Sequence, residues 1–466
     1  MGSKKRGSLE GRRRTWRVTV IVVAVLLLVG AGTAVAVTQL GGTSLFGSGA
    51  VATAAAPPLQ TPAPQVLPVP ADAPVPSPAG LARTLAPTLA NPGLGSFTGQ
   101  VSDAETGQVL WQQGADTPQT PGSVTKVLTT AAALLTLPLD QRLTTKVVQG
   151  AAPGQVVLVG AGDPTLTAQP DGETGFYLDA PHVSDLADQL RRAGIPVTSV
   201  VVDKSLFPGP GMAKGWDESD IAGGNISPIE AVMLDGGRLS PTVDESPRSP
   251  TPALYAGQTL AKQLGLDASA VTEGTAPAGA QTLASVQSAP LSERLHELMT
   301  VSDNVLAETV GLEVAKARGQ ALTFDGAVAA VTQTLRQAGF DTTGLTLEDV
   351  NGLSTYDRIP ARLIDQVLTA AAGPSQPKLR PLLDDLPVAG GTGTLADRFD
   401  HASAAAAGWT RAKTGTLSGV SSLAGVVTTV DNRVLTFALM SNGTSPDQAR
   451  TALDAVAAAL RSCGCR

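Results

Sequence analysis

The stretch from Ser123 to Leu137, SVTKVLTTAAALLTL, contains no glycine or proline, carries one charge, Lys126, and stops at Pro138. Alanine and leucine favour helix, and a helix with no polar face has to be covered on all sides. A buried helix is therefore predicted here, with the rest of a large core packed around it. Only 3% of the 466 residues are aromatic, so aliphatic side chains must build that core. The length suits two or three domains rather than one.

At the first turn of this helix Ser123 and Lys126 stand three residues apart, a spacing that puts two side chains on one helical face. A serine hydroxyl is a weak nucleophile until a base removes its proton, and lysine can do so only if burial or neighbouring charge lowers its pKa. The spacing alone also fits a capping serine beside a solvated lysine. Ser375 and Lys378 repeat it among prolines, where no catalytic helix can start.

Residues 1–17 carry seven Lys or Arg against Glu10, a net of +6, which against the total of −7 leaves −13 for the remainder. A basic nucleic-acid-binding surface on the body is thereby excluded. Val18 to Val37 holds no charge over twenty residues, enough to span about 30 Å of hydrocarbon as a helix. With the positive cluster held inside, this predicts a single-pass membrane anchor at 18–38 behind a cytoplasmic tail, 1–17. Ala34-Val35-Ala36 offers a signal-peptidase site as the alternative, which would release the body to the cell wall. Both place the body outside the cytoplasm. Residues 39–79, rich in Pro and Ala, read as a semi-rigid spacer.

Beyond the spacer, Ser96 to Asp116 reads as a hairpin turning at Glu105-Thr106-Gly107. Residues 145–280 mix short Val-rich runs with Gly and Pro turns and one helical stretch, Val183 to Ala193, and read as a mainly β insertion. Helical patterns return at LSERLHELM and NVLAETVGLEVAKARG. SSLAGVVTTV and RVLTFALMSN then form a strand pair, and a last helix runs from Ser445-Pro446 to about Leu460. Catalytic-domain sequence thus occupies 80–144 and 281–466. His182, His296 and His401 are too dispersed for a metal signature, and no metal or cofactor is expected. Cys463 and Cys465 read first as an incidental terminus, with free thiols or a tail cystine as alternatives.

Two further motifs change the weight of the first. Ser302-Asp303-Asn304 lies between helical segments, and Lys413-Thr414-Gly415 lies on a probable strand. The order S-x-x-K, S-D-N, K-T-G resembles the set shared by penicillin-binding proteins and serine β-lactamases. Converging on one cleft, Ser123 would attack and Lys126 take its proton, one hydroxyl touching two amines. Ser302 would relay that proton to the leaving amine. Asn304 would hold the substrate amide and orient Lys126, and Lys413 would add positive charge. The N–H groups of Ser123 and Thr416 would face an oxyanion. Thr414, Gly415 and Thr416 would line the substrate, the two hydroxyls suiting a terminal carboxylate, while Asp303 would point away and serve structure.

LVGAGDPTLT, VVVDKSLFPGPG, VMLDGGRLSP, DVNGLS and LPVAGGTGTLADRF extend the likeness over roughly Gly95 to Asn442. The chain is similar to the D-alanyl-D-alanine carboxypeptidase/endopeptidase family, the class C low-molecular-mass penicillin-binding proteins. That resemblance implies an α/β transpeptidase-like domain, helices on an antiparallel sheet, with insertions after the nucleophile helix. It implies hydrolysis of the D-Ala-D-Ala bond of peptidoglycan stem peptides, or of peptide cross-links, through an acyl-enzyme on Ser123. β-Lactam antibiotics would be covalent inhibitors, and no cofactor would be needed. A β-lactamase or esterase on the same fold, and a degenerate wall-binding protein, are the competing readings. The family usually has D-G-S-G-L-S where this chain has D-V-N-G-L-S, which marks the loop around Asn351 as altered.

Overall fold

The computed structural model describes Pro70 and residues 72–465; the tail at 1–17, the apolar segment at 18–38 and the spacer to residue 69 lie outside the described residues. Among the described residues no helix is long and apolar enough to cross a membrane. Helix α1, Pro78–Leu89, starts behind Ser77, whose side chain accepts a hydrogen bond from Gly80 N. Strands β1 (Ser96–Asp103) and β2 (Val109–Gln113) form the expected hairpin, and α2 (Thr125–Thr136) is the expected central helix. Every residue of α2 from Thr125 to Leu134 is buried, which explains its lack of a polar face.

The insertion follows. Strands β3 (Thr144–Gln149) and β4 (Gln155–Val159), helix α3 (Val183–Arg192) and strand β5 (Ser199–Asp203) lead to α4 (Pro252–Gln263), β6 (Val271–Glu273) and β7 (Thr282–Gln287). Its sheet has the order β6-β5-β4-β3-β7. Strands β4, β5 and β6 run parallel, while β3 is antiparallel to both β4 and β7. Because the first and last strands pair directly, Val147 opposite Ala284, the chain leaves the catalytic domain and returns to it at neighbouring points. Helix α3 occupies the expected stretch. Helix α4 is an addition to that reading: it opens on Thr251-Pro252 and buries Ala253, Ala256, Gly257 and Leu260, the spacing of an amphipathic helix.

The second half supplies α5 (Leu291–Thr300), α6 (Asn304–Ala317), α7 (Phe324–Gln337) and α8 (Ala361–Ala372). Strands β8 (Thr410–Leu417), β9 (Val420–Thr428) and β10 (Val434–Asn442) and helix α9 (Pro446–Arg461) complete the chain. The main sheet is antiparallel, in the order β2-β1-β10-β9-β8. Leu81, Leu85, Leu453 and Val456 of α1 and α9 pack with Leu423 and Phe437 on one face. On the other, α2 and α5 to α8 share an aliphatic core with Ala424 and Ala438. This is the α/β arrangement expected, with β8 left as the edge strand. Cys463 and Cys465 are joined in a disulfide, so the incidental terminus favoured by sequence gives way to a tail cystine. Cys465 O accepts from Ser77 N, which ties the C-terminus to the start of α1.

A buried ion pair fastens the β1–β2 hairpin to the loop before β10. Arg433 grips Asp103 bidentately, Nε to Oδ1 at 2.5 Å and Nη2 to Oδ2 at 2.6 Å, and also reaches Glu105. Burial acts to raise the Asp103 carboxyl, but Arg433 and Thr106 hold it below the ordinary carboxylate value. Removing one partner strands the other charge. Arg433→Ala is expected to cost about 3 kcal/mol in urea unfolding at neutral pH. The wild-type pair contributes fully above the ordinary carboxylate pKa and is lost as pH falls through the lowered value, so the difference between the proteins shrinks in acid.

Candidate active site

The nucleophile sits at a tight entrance to α2. Residues Gly122–Val124 form a 3-10 turn that runs directly into the helix. Gly122 has φ +58°, and a Cβ there would lie 2.9 Å from the Thr416 nitrogen. Gly415 meets the same turn from the strand side: its Cβ would fall 2.5 Å from Pro121 O and 3.1 Å from Ser123 N. The turn and the edge strand therefore approach backbone to backbone, which is possible only because both positions lack a side chain. The N-G-L-S loop closes from a third direction, where a Cβ on Gly352 would collide with Gly122 O.

Lys126 is wholly buried at the centre of this arrangement. Its Nζ lies 2.8 Å from Ser123 Oγ, 2.6 Å from Asn304 Oδ1 and 2.8 Å from Asn351 O. Burial pushes the amine down to about 8, against the opposing pull of Asp349, Asp303 and Glu308. Glu308 and Asp349 lie beneath it as supports. Glu308 Oε1 accepts from Val350 N and Asn351 Nδ2, and Asp349 accepts from the backbone of Asn351, Gly352 and Ser354 and from Trp216 Nε1. Burial and the charge of Asp349 raise Glu308 well above its ordinary value, and its Oε2 has no hydrogen-bond partner.

Ser302 adopts φ +65°, a left-handed conformation costly for a side chain bearing Cβ. Its neighbour holds it there. Asp303 caps α6 by accepting from Leu306 N, and its other oxygen takes hydrogen bonds from Arg238 and Tyr177, both at 3.0 Å. Arg238 is itself 1% exposed and lies over the Phe176 ring at 3.5 Å. Burial works to raise Asp303, and Arg238 and Arg248 keep it below its ordinary value. The insertion thus clamps the S-D-N loop. It also supplies Asn225 O, which accepts from Asn304 Nδ2 at 2.8 Å. Lys413 reaches across from β8 to Ser302 Oγ at 2.7 Å, and burial together with the nearby charge of Lys126 holds its amine well below the usual value. The two amines are therefore divided between two hydroxyls, where the sequence suggested one hydroxyl touching both.

Over part of its length, β8 is covered. Ala389 N donates to Thr410 O and Ala412 N to Pro387 O, so residues 387–389 occupy the edge at one end. Strand alternation points the Thr414 and Thr416 N–H groups the same way as that of Ala412, and there the edge faces the nucleophile turn. Thr414 Oγ1 bonds Thr394 Oγ1 at 2.9 Å, and Thr416 Oγ1 accepts from Arg450 Nη2 at 3.2 Å.

Ser123, Lys126, Ser302, Asn304, Lys413, Thr414, Gly415 and Thr416 are thus brought to one place. Ser375 and Lys378 are not: Lys378 falls in a 3-10 turn, Pro377–Leu379, away from these residues. Sequence reading missed Asn351 O, Glu308, Arg238, Tyr177 and Asn225. Glu308 left a trace as an acid within the apolar run of α6, and Asn351 and Arg238 stood inside the stretches DVNGLS and VMLDGGRLSP with no role read for them. A cavity of about 670 Å³ at the far end of β8, lined by Trp409 and Arg411, holds none of the site residues. Among the described residues no group of His, Cys, Asp or Glu is arranged to hold a metal ion.

Comparison with known proteins shows relatives in sequence and in fold. A carboxypeptidase DacB of Mycolicibacterium smegmatis is 54% identical over 447 residues, covering 95% of this chain and 96% of that protein. A D-alanyl-D-alanine carboxypeptidase of Actinomadura is 29% identical, over 80% of this chain and 82% of its own. The crystal structure of penicillin binding protein 4 of Haemophilus influenzae superimposes with a TM-score of 0.67 at 21% identity, covering 82% of this chain and 97% of that one. The same protein has been solved with a β-lactam bound, and that structure gives a TM-score of 0.60. The family match itself takes in residues 81–249 and 244–463, and the chain belongs to the D-Ala-D-Ala carboxypeptidase 3 (S13) family.

Proposed function

We propose that this protein is an exported serine D-Ala-D-Ala carboxypeptidase that trims peptidoglycan stem peptides through an acyl-enzyme on Ser123, and that β-lactams acylate the same hydroxyl. The observation that carries this reading is the environment of Lys126. As a neutral amine it has two N–H bonds and one lone pair. Asn304 Oδ1 and Asn351 O accept the two hydrogens, which leaves the lone pair facing Ser123 Oγ at 2.8 Å.

The steps follow from that placement. Lys126 takes the Ser123 proton as Oγ bonds to the carbonyl carbon of the penultimate D-Ala, and the N–H groups of Ser123 and Thr416 stabilise the oxyanion. The C–N bond breaks, and the departing D-Ala nitrogen receives a proton through Ser302, whose hydroxyl is held by Lys413. Water then cleaves the ester, and Oγ recovers its proton. Asn304 holds the substrate amide, exchanging the Asn225 carbonyl for it, and the Thr414 and Thr416 hydroxyls receive the terminal carboxylate. The chain's own groups supply base, acid and oxyanion donors, so no cofactor has a role. The uncharged segment at 18–37 behind a basic tail supports a single-pass anchor with the body outside the cytoplasm.

Fluorescent penicillin should label the wild-type protein, with the adduct mapped to Ser123 by peptide mass spectrometry, and Ser123→Ala should remain unlabelled. An unlabelled wild type would sink the proposal, and an adduct discharged within seconds would favour a β-lactamase. With a stem pentapeptide, mass spectrometry should show loss of one alanine. The base acts only when neutral, so kcat/KM should rise roughly tenfold per pH unit below about 8 and level off above it. A rate that falls as pH rises through this range would assign the proton to another group. Glu308→Gln keeps a neutral acceptor beneath the Asn351 loop and should retain kcat/KM within roughly threefold, whereas Glu308→Ala should lose more than roughly tenfold.

A further inference from the structure

We infer that Arg450, on the second turn of α9, is a specificity-determining residue that pairs with the free carboxylate of the departing residue, so that stems ending in an acid are cleaved in preference to stems ending in a carboxamide. The inference rests on the carboxypeptidase reading above and adds to it a cation that the three motifs do not contain.

The placement follows from strand alternation. Side chains at 412, 414 and 416 share one face of β8. Ala412 on that face packs in a common core with Ala452 and Leu453 of α9, so the Thr414 and Thr416 hydroxyls lie on the side where α9 begins. Arg450 Nη2 reaches Thr416 Oγ1 at 3.2 Å. Among the described residues this is the hydrogen bond its side chain makes, and a guanidinium has five donors in a fork that matches a carboxylate. Arg450 itself is exposed, open to a ligand arriving along the strand edge.

The chemistry of the substrate brings the carboxylate to this point. It is one carbon removed from the scissile nitrogen, and the scissile carbonyl must lie between Ser123 and the Thr416 amide, which the Gly122 turn holds together. The terminal carboxylate therefore falls within reach of the threonine hydroxyls. Neither lysine is suited to neutralise it. Lys126 is committed to Ser123, Asn304 and Asn351, and Lys413 to Ser302 and Thr414 O, both amines being fully enclosed. Burial also disfavours their charged forms. The guanidinium of Arg450, exposed beside Thr416, offers instead a planar fork that matches a carboxylate.

The test compares one stem pentapeptide ending in D-Ala acid with the same peptide ending in D-Ala amide, on the full chain and on Arg450→Ala and Arg450→Lys. Wild type should favour the acid, and Arg450→Ala should reduce that acid-to-amide ratio in kcat/KM by roughly tenfold, mainly through KM, with Arg450→Lys recovering part of it. A ratio left at the wild-type value, or equal losses on both peptides, would overturn the inference; the second result would assign Arg450 a role in holding Thr416. If wild type cleaves neither peptide the carboxypeptidase reading fails. Arg450 is then judged by acylation with a penicillin and its methyl ester, where the same loss of preference in Arg450→Ala supports the contact and an unaltered preference rejects it.

Discussion

A primary amine enclosed in the centre of a protein has to be given partners for each of its valences, and the surroundings of Lys126 are organised around that requirement. Its three partners come from three separate parts of the chain: the turn before α2, the first residue of α6 and the loop at Asn351. None of the three is adjustable by itself. The turn is fixed by glycines at 122 and 415, the start of α6 by the Asp303 cap, and the loop by Glu308 and Asp349 beneath it. An error in one would leave a buried polar atom unpaired, at a cost of about 1–3 kcal/mol, so packing of the helical core and orientation of the base are coupled.

The insertion takes part in this coupling. Its sheet and two helices enclose an aliphatic core of their own, yet Tyr177, Asn225 and Arg238 extend from it to the S-D-N loop. The Arg238–Asp303 pair is almost completely enclosed, and a buried pair of that kind is a stronger constraint on geometry than a source of stability. Here it secures the left-handed backbone at Ser302. An insertion of this size thereby serves as a structural wall of the cleft as well as an addition to it.

Substrate access is governed by one strand edge. Unpaired edges invite β-pairing, and this chain covers half of β8 with residues 387–389 while leaving the half that bears Thr414 and Thr416 open beside the nucleophile. An extended peptide can be received there along its backbone, and side chains on the two faces of the strand then contribute separately. Lys413 serves the face toward Ser302, and Thr416 with Arg450 the other.

Much of this was legible in residue order. The unbroken apolar run of α2, the hairpin at β1 and β2, the paired strands β9 and β10 and the closing helix are local patterns, and each is found where the pattern places it. The three motifs indicated which side chains could do chemistry, because a hydroxyl next to an amine at helical spacing has few other uses once two companions occur in order. Helix α4 was readable but masked by the Gly and Pro around it. Spacing along the chain does not encode the meeting of Asn351 O with Lys126, of Arg238 with Asp303, or of Arg450 with Thr416, at separations of 225, 65 and 34 residues. Sequence by itself determined the elements and the reactive groups, since these depend on neighbours a few residues away. Only the tertiary structure decided which hydroxyl each amine serves and which way the enclosed lysines and carboxylates are shifted, because burial and distant partners set both.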